Sequence, residues 1–484
     1  MQKKFMLPQQ VRYGNLLTGN NMIKQETPKY VSNRNACKLC APLGAGIAFK
    51  GIKGCVPLVH GSQGCTTYIR RYLISHYKEP VDMASSNFSE VNTIFGGEKN
   101  FGTGLNNVIS QYNPEVVGVS STCLSETIGE DIPRMIHEYT DLNSSTRIPV
   151  LVNVSTPSYR GTHIDGFHDA VCSTVSLLAI KEEEGTHINI FPGFISPEDI
   201  RHLKDIFEDF GIDYILFPDY SDTLDGSHWK EYQILPEGGT PVSDIRRTGS
   251  AAASIELGYV FNKGGLRGRI KDNKTVHTGG EWLELKYNLP DYKTGMPVGI
   301  KEIDKFFELL KKLSGKNIPE RYERQRGRLV DSYIDGHKYL FGKKAIVYGE
   351  EDLVIGLVSF LQEVGIDVVL VASGGESGIL SNIINEKCGT EKEITVISGA
   401  DFETINTLAD SLKPDILIGN SKGYYIARRL AIPLVRVGFP IHDRIGVQRI
   451  RILGYEGTQQ LFDRVTNALI EYKQENSPVG YKYL

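Results

Sequence analysis

The feature that most constrains the fold of this chain is a repeated alternation of short, continuously apolar runs with helical patterns. β-Branched residues dominate the runs, which predict strands at 116–120, 148–154, 188–191, 212–217, 345–348, 368–371, 394–397, 415–418 and 434–437. Amphipathic patterns between or beside them predict helices at 68–76, 126–139, 197–210, 301–313, 322–340 and 352–364. Strands without polar alternation are buried on both faces. This order therefore predicts an α/β fold of mostly parallel sheets covered by helices on both faces.

The length and the polar segments suggest how the chain divides. Its 484 residues are enough for two to four domains, at roughly 100–200 residues per domain. Residues 1–34 are polar and lack periodicity, which predicts an N-terminal arm. The alternation then divides the chain into 35–180, 181–300 and 301–484, the last of which begins with long surface helices. Residues 219–298 are rich in Gly, Pro, Asp and Ser and show only a weak strand and helix pattern.

Charge and cysteine content narrow the function classes. With 54 basic against 58 acidic side chains, the net charge is −4, which gives no electrostatic reason to expect nucleic acid or an anionic membrane as a partner. No run approaches the roughly 20 apolar residues that span a bilayer, and the first residues lack the apolar core of a signal peptide. The seven cysteines are too few for a disulfide scaffold, so a cytoplasmic location is expected.

Four side chains, Cys40, Cys65, Cys123 and Ser158, lie beside small or turn-forming residues and carry most of the chemical information. Cys123 and Ser158 follow two consecutive predicted strands, at the carboxyl ends where open α/β sheets bind ligands. Cys65 closes a Gly-rich segment before a predicted helix, whose N-terminus would stabilise a thiolate. Spacings this wide do not fit one zinc loop but suit loops that converge on one point. Thiolates gathered in that way hold iron–sulfur clusters, so we expect the chain to handle electrons or cluster assembly.

Other interpretations of the cysteines stay open at this level. The three could be buried structural cysteines of a non-redox α/β binding protein. Cys37 forms a lone C-x-x-C pair with Cys40, which is weak evidence for zinc. The remaining cysteines lie in apolar or helical settings that favour core positions: Cys55, Cys172 and Cys388.

Several polar segments accompany these residues. The basic residues after Cys65 could balance the negative charge of a sulfide cluster or be plain surface charges: Arg70, Arg71, His76 and Lys78. Loop 419–423 follows a predicted strand, and its backbone could hold an anion. Segment 438–444 also follows a strand and could either form a turn with a subunit contact or have a catalytic role. A Walker A loop is absent from the sequence, so ATP hydrolysis by this chain is not expected. No Ser-His-Asp set and no acid–base carboxylate pair can be assigned.

Seven segments resemble the β-type subunits of the nitrogenase component 1 superfamily: 40–45, 60–65, 76–80, 95–97, 121–129, 156–158 and 436–444. They span most of the chain, and the run from 35 to 132 is highly specific. The resemblance implies three Rossmann-like α/β domains and pairing with an α-type subunit in an α2β2 heterotetramer, served by an iron protein reductase. It also implies an iron–sulfur cluster at the subunit interface, of four irons or of the eight-iron P-cluster kind, bound by Cys40, Cys65, Cys123 and Ser158. The iron–molybdenum cofactor or its precursor would lie mainly in the partner.

Within this superfamily, two subunit types are possible. Residues 35–40 read Asn-Ala-Cys-Lys-Leu-Cys, where the catalytic β subunit usually has Asn-Pro-Ala-Lys before its first ligand. The short N-terminal arm and four segments look more like the cofactor-assembly scaffold subunit (NifN type): 68–76, 321–328, 419–422 and 427–430. That subunit pairs with a NifE-like subunit. Retention of all three cysteines and Ser158 instead resembles the catalytic β subunit, which pairs with a NifD-like subunit. From the segments that resemble the scaffold subunit, we expect a scaffold on which the iron–molybdenum cofactor precursor matures. The alternative is a catalytic β subunit that relays electrons through a P-cluster.

Overall fold

The computed structural model describes residues 23–26, 35–145, 147–260, 278–388 and 393–479. Over these ranges the chain forms three sheets in which all paired strands are parallel. Helices flank the sheets, which confirms the predicted α/β fold. The first described strand, β1 (Ile23–Glu26), falls within the predicted arm 1–34, most of which lies outside the described residues. Within the described ranges, no helix is long and apolar enough to cross a bilayer.

The first sheet has the strand order β3-β2-β4-β5. Its strands are β2 (Cys55–His60), β3 (Ala84–Ser85), β4 (Val116–Ser121) and β5 (Val150–Val154). Its helices are α1 (Ala41–Lys50), α2 (Gln63–Tyr77), α3 (Glu90–Phe95), α4 (Glu98–Tyr112), α5 (Cys123–Thr127), α6 (Ile132–Leu142) and α7 (His163–Leu178).

The register of this sheet aligns the loops that carry the candidate ligands. His60, the last residue of β2, pairs with Ser121, the last residue of β4. Ser120 in turn pairs with Val154, the last residue of β5. Because the three strands are parallel and end at the same level, the segments that follow them leave from one edge of the sheet.

The helix predicted at 126–139 is two helices, α5 and α6, and the prediction of one helix was wrong. Gly129 between them has a φ of +80°, a left-handed conformation that ends the first helix. Asp131 then caps the second helix by accepting the backbone N–H of Arg134 over 3.1 Å. Helix α5 is consequently a single short turn whose first residue is Cys123.

The second sheet has the strand order β7-β6-β8-β9. Its strands are β6 (Ile188–Phe191), β7 (Tyr214–Leu216), β8 (Ala253–Leu257) and β9 (Asp291–Thr294). Its helices are α8 (Pro197–Asp209), α9 (Val242–Arg247) and α10 (Gly279–Tyr287). Strands β8 and β9 lie in the stretch where the sequence pattern is weak, and they were not predicted.

The third sheet has the strand order β1-β12-β11-β10-β13-β14. Its further strands are β10 (Lys344–Gly349), β11 (Asp367–Ser373), β12 (Ile394–Ile397), β13 (Ile416–Gly419) and β14 (Leu434–Arg436). The helices of this part are α11 (Ile300–Ser314), α12 (Glu320–Leu340), α13 (Glu351–Glu363), α14 (Leu380–Cys388), α15 (Phe402–Leu412), α16 (Tyr424–Leu430) and α17 (Gly454–Glu475).

The sheets share packing. One continuous hydrophobic cluster includes buried residues from each of them, among them Val59, Ile190 and Val347. Between the layers, α1 packs directly on α7 because Gly44 has no side chain: a Cβ there would stand 1.6 Å from the carbonyl oxygen of His163. The domain boundaries at 180 and 300 stay a prediction.

Candidate functional site

Each of the three candidate cysteines stands at the start of a helix. Cys40 is the residue immediately before α1, and Cys123 is the first residue of α5. Cys65 lies in the first turn of α2, as predicted, and the Oγ of Ser62 caps that helix by accepting the backbone N–H of Gly64 over 3.3 Å. The N-termini of α1 and α2 place partial positive charge beside Cys40 and Cys65.

Ser158 lies between two of these cysteines. Its backbone N–H donates to the Sγ of Cys123 over 3.2 Å, and its Oγ accepts the backbone N–H of Ala41, the residue after Cys40, over 3.2 Å. The segment that carries it is fixed by Thr156, whose backbone N–H donates to the Oγ of Ser121 over 2.8 Å. Ser158 therefore joins the loop after β5 both to the loop after β4 and to the start of α1.

The electrostatics of Cys65 show that the three thiols are neighbours. Its pKa is raised above the ordinary value, first because the thiol is partly buried, and then because the charges of Cys40 and Cys123 oppose a third negative charge. The structure thus brings Cys40, Cys65, Cys123 and Ser158 to one place. Across the described residues, no three His, Cys, Asp or Glu side chains are close enough to hold a single metal ion.

A close backbone approach holds the loops of Cys65 and Cys123 together. A Cβ at Gly61 would stand 2.2 Å from the Oγ1 of Thr122, so no larger residue fits there without a shift. The same hydroxyl donates to the carbonyl oxygen of His60 over 3.2 Å. Because Thr122 also caps α5, this contact fixes the helix of Cys123 against the end of β2.

The site opens at the surface of the chain. Cys40 and Cys123 are exposed, and Cys65 is half-buried. Large side chains beside the ligands in sequence are also exposed: 53% of Tyr68 and 60% of Tyr159. A bound group would be covered by this chain on one side only.

The other cysteines are separate from this site or buried. Cys55 and Cys172 are buried in core positions as predicted, and Cys388 is half-buried. Burial raises the pKa of Cys55 to about 12 and also raises that of Cys172. Cys37 is buried with a pKa of about 12, and its backbone N–H donates to the carbonyl oxygen of Ala400 over 2.9 Å. The thiols of Cys37, Cys55 and Cys172 stay protonated near neutral pH and are poor candidates for an iron–sulfur cluster.

Three of the four basic residues considered in the sequence are engaged in contacts of the fold. Arg70 donates to the carbonyl oxygen of Val81, and Lys78 to that of Ser75. His76 is buried with its pKa lowered to about 3, and its Nδ1 accepts the backbone N–H of Ile441 over 2.9 Å. A cation from loop 419–423, Lys422, lies near Cys37 and Cys40 instead. The sequence analysis considered this loop because its backbone could hold an anion, and it did not consider the lysine.

Comparison with known proteins identifies the family. The profile of the nitrogenase component 1 type oxidoreductases matches residues 40–470. The nitrogenase molybdenum-iron protein beta chain of Clostridium pasteurianum is 36% identical over 456 residues, which is 92% of this chain and 96% of that protein. The nitrogenase vanadium-iron protein beta chain of Trichormus variabilis is 33% identical over 451 residues, 90% of this chain and 94% of that protein. The solved structure described as nitrogenase Cp1 at pH 6.5 superposes with a TM-score of 0.87 at 34% identity, covering 94% of this chain and 98% of that one.

These relatives bear on the choice between the two subunit types. Both curated relatives named above are β chains of nitrogenase proteins, and neither carries the name of an assembly scaffold. The expectation that the scaffold subunit is the nearer relative is therefore not supported, and the alternative is favoured. The chain belongs to the nitrogenase component 1 type oxidoreductase family and groups with its β chains.

Proposed function

We propose that this chain is the β subunit of a catalytic nitrogenase, in which Cys40, Cys65, Cys123 and Ser158 hold an iron–sulfur cluster of the P-cluster kind. The observation that carries the proposal is the convergence of three thiols and one hydroxyl at the carboxyl edge of one parallel sheet. The similarity to nitrogenase β chains over nine-tenths of the chain supports it.

The residues present fit such a cluster better than a single ion. Cysteine thiolates are the usual protein ligands of iron–sulfur clusters. The ligands of a cluster bind different iron atoms and so stand further apart than the ligands of one ion. The wider spacing of cluster ligands agrees with the structure, because the three thiols are neighbours but the described residues form no site for a single ion. Iron would also offset the mutual repulsion that, together with the larger effect of burial, raises the pKa of Cys65.

When bound, the cluster would supply one-electron storage and transfer. The residues of this chain position its ligands. The cap of Ser62 fixes the first turn of α2 and with it Cys65. The backbone N–H of Ser158 donates to the Sγ of Cys123, and a hydrogen bond to a ligand sulfur withdraws charge and raises the reduction potential of a cluster.

The exposure of Cys40 and Cys123 supports a shared site. We propose that an α-type partner covers the open side and supplies the remaining ligands, within an α2β2 heterotetramer. The iron–molybdenum cofactor would lie mainly in that partner. An ATP-driven iron protein, as the family resemblance implies, would deliver the electrons.

The assembly scaffold stays the second candidate, because of the sequence Asn35-Ala-Cys-Lys before the first ligand. The two candidates differ in turnover. We would purify the chain anaerobically with its native partner and assay proton and acetylene reduction with iron protein, ATP and reductant. Sustained turnover is expected for the catalytic subunit. An iron-bearing complex with negligible turnover would instead indicate a scaffold, and a complex without iron would contradict both.

A further inference from the structure

The side chain of Lys422 reaches from the third sheet to the segment that leads into Cys40. Lys422 lies in a 3-10 turn, Ser421–Gly423, between β13 and α16. Its Nζ is 3.4 Å from the Oδ1 of Asn35 and 3.3 Å from the carbonyl oxygen of Ala36. The ammonium also lies 6.0 Å from the centre of the Tyr72 ring. Tyr72 is on α2, the helix that carries Cys65.

This ammonium is half-buried, and the hydrogen-bond acceptors within the described part of the chain are two neutral oxygens. Among the described residues, no carboxylate oxygen lies within 4.0 Å of its Nζ. Burial lowers the pKa of Lys422, whereas negative charge on its neighbours Cys37, Cys40 and, more weakly, Glu350 would raise it. A cation withdrawn from water to this extent needs an anion nearby, and two neutral oxygens at 3.3 Å or more are weak substitutes.

Of the two thiols that act on the ammonium, only Cys40 belongs to the proposed ligand set. Cys37 is buried, its sulfur accepts a hydrogen bond from the backbone of Gly374, and its thiol stays protonated near neutral pH. Cys40 is exposed at the start of α1 and belongs to the proposed ligand set. The ammonium therefore lies near the Cys40 corner of the cluster site, with the carboxylate of Glu350 as a second negative group that acts on it more weakly.

We propose that Lys422 is a positioning residue for the cluster: its ammonium neutralises the negative charge at the Cys40 corner and raises the reduction potential of the bound cluster. The inference rests on the proposed function. A fixed positive charge favours the reduced form of a cluster, because that form carries one more negative charge. The contacts with Asn35 and Ala36 show that the ammonium lies beside the segment that leads into Cys40.

The test measures the midpoint potential of the cluster in the anaerobic complex with the native partner, by a redox titration followed by electron paramagnetic resonance. Lys422→Gln removes the charge but keeps a donor for the two oxygens, and Lys422→Arg keeps the charge. Asn35→Ala removes one contact and leaves the charge in place. Iron per complex is measured for each variant.

We expect wild type, Lys422→Arg and Asn35→Ala to share one potential, and Lys422→Gln to titrate at a lower one. At the wild-type midpoint, the ratio of oxidised to reduced cluster should rise about tenfold in Lys422→Gln, a shift of about 59 mV for a one-electron couple. Iron loss in Lys422→Gln with retention in Lys422→Arg would also support the role of the charge.

Two results would overturn the inference. The first is an unchanged potential in Lys422→Gln with full iron. The second is iron loss in both Lys422→Gln and Lys422→Arg, which would show a requirement for the shape of lysine instead of its charge. A wild-type complex without iron would be a different failure, because it would contradict the proposed function itself.

Discussion

The backbone N–H of Ser158 donates to the Sγ of Cys123 over 3.2 Å, across 35 residues of sequence. The two residues follow neighbouring parallel strands, β4 and β5, which end at the same level in the sheet. The bond has two consequences. It fixes the distance between two proposed ligands before any cluster is present, and it places a donor on a ligand sulfur, where it would affect the potential of the cluster.

The close approach of Gly61 to Thr122 predicts that Gly61→Ala disturbs the site. The new Cβ would meet the Oγ1 of Thr122 at 2.2 Å, which forces the helix of Cys123 away from the loop of Cys65. We expect a loss of about 1–3 kcal/mol in the free energy of unfolding and a reduced iron content of the purified complex. Thermal unfolding and iron analysis check the two effects.

Gly102→Ala is the matched control for that substitution. A Cβ at Gly102, within α4, would meet nothing within 4 Å, and alanine stabilises a helix interior by roughly 0.5–1 kcal/mol over glycine. This variant should keep its iron and be equally or more stable. If Gly61→Ala behaved like Gly102→Ala, the contact would not define the site.

Cluster binding predicts different results for two cysteine variants. Cys65→Ala should lose most of the iron and weaken pairing with the α-type partner, because a proposed ligand between Cys40 and Cys123 is gone. Cys172→Ala should change the iron content little, because that thiol is buried and donates to the carbonyl oxygen of Thr278 over 3.4 Å. Iron per complex and size-exclusion chromatography measure both effects. Equal iron in the two variants would show that the ligands are assigned wrongly.

The buried His76 predicts a loss of stability in acid. Burial lowers its pKa to about 3 in the folded chain, from an ordinary value of 6.5. As the pH falls from 6.5 towards 3, the unfolded chain takes up a proton that the folded chain does not, so the free energy of unfolding falls. His76→Asn keeps an acceptor for the backbone N–H of Ile441 but cannot be protonated. Its unfolding temperature, measured across this pH range, should fall less steeply than that of wild type, although its value at pH 8 is lower; equal slopes would contradict this account.

Asp199 predicts the opposite dependence on pH. Its carboxyl group accepts the backbone N–H groups of Ile452 and Leu453, each over 2.9 Å, yet burial raises its pKa from 3.8 to about 6. Between these values the folded chain holds a proton that the unfolded chain has released, so stability falls as the pH rises from about 4 to 6. Asp199→Asn should therefore gain stability relative to wild type over that interval and hold the gain above it. A relative stability independent of pH would show that the carboxyl is ionised in the fold.

The sequence predicts strands well where the apolar run is short and unbroken. The predictions at 188–191 and 394–397 coincide with β6 and β12. Strand β2 is fully buried but was not predicted. Pro57 within it, and Cys55 and His60 at its two ends, weaken the apolar pattern by which a strand is predicted. The division of 126–139 into two helices depends on the left-handed φ of Gly129, which a glycine permits but does not require.

The position of the candidate site was predictable, but its contacts were not. Cys123 and Ser158 could be placed at one sheet edge because both follow a strand. The bond between them depends on the register of β4 with β5, which single strands do not reveal. Lys422 and Asn35 are 387 residues apart in the sequence. Only the packing of the third sheet against the segment before α1 brings Lys422 to Cys40.

The central claim is that the four residues bind one cluster, and an iron-edge anomalous diffraction map of the anaerobically purified complex with its native partner tests it most directly. We predict one strong peak bounded by the sulfur atoms of Cys40, Cys65 and Cys123 and the oxygen of Ser158, at the interface with the partner. A map with no iron density within bonding distance of these atoms, or with the iron of this chain located elsewhere, would contradict the account.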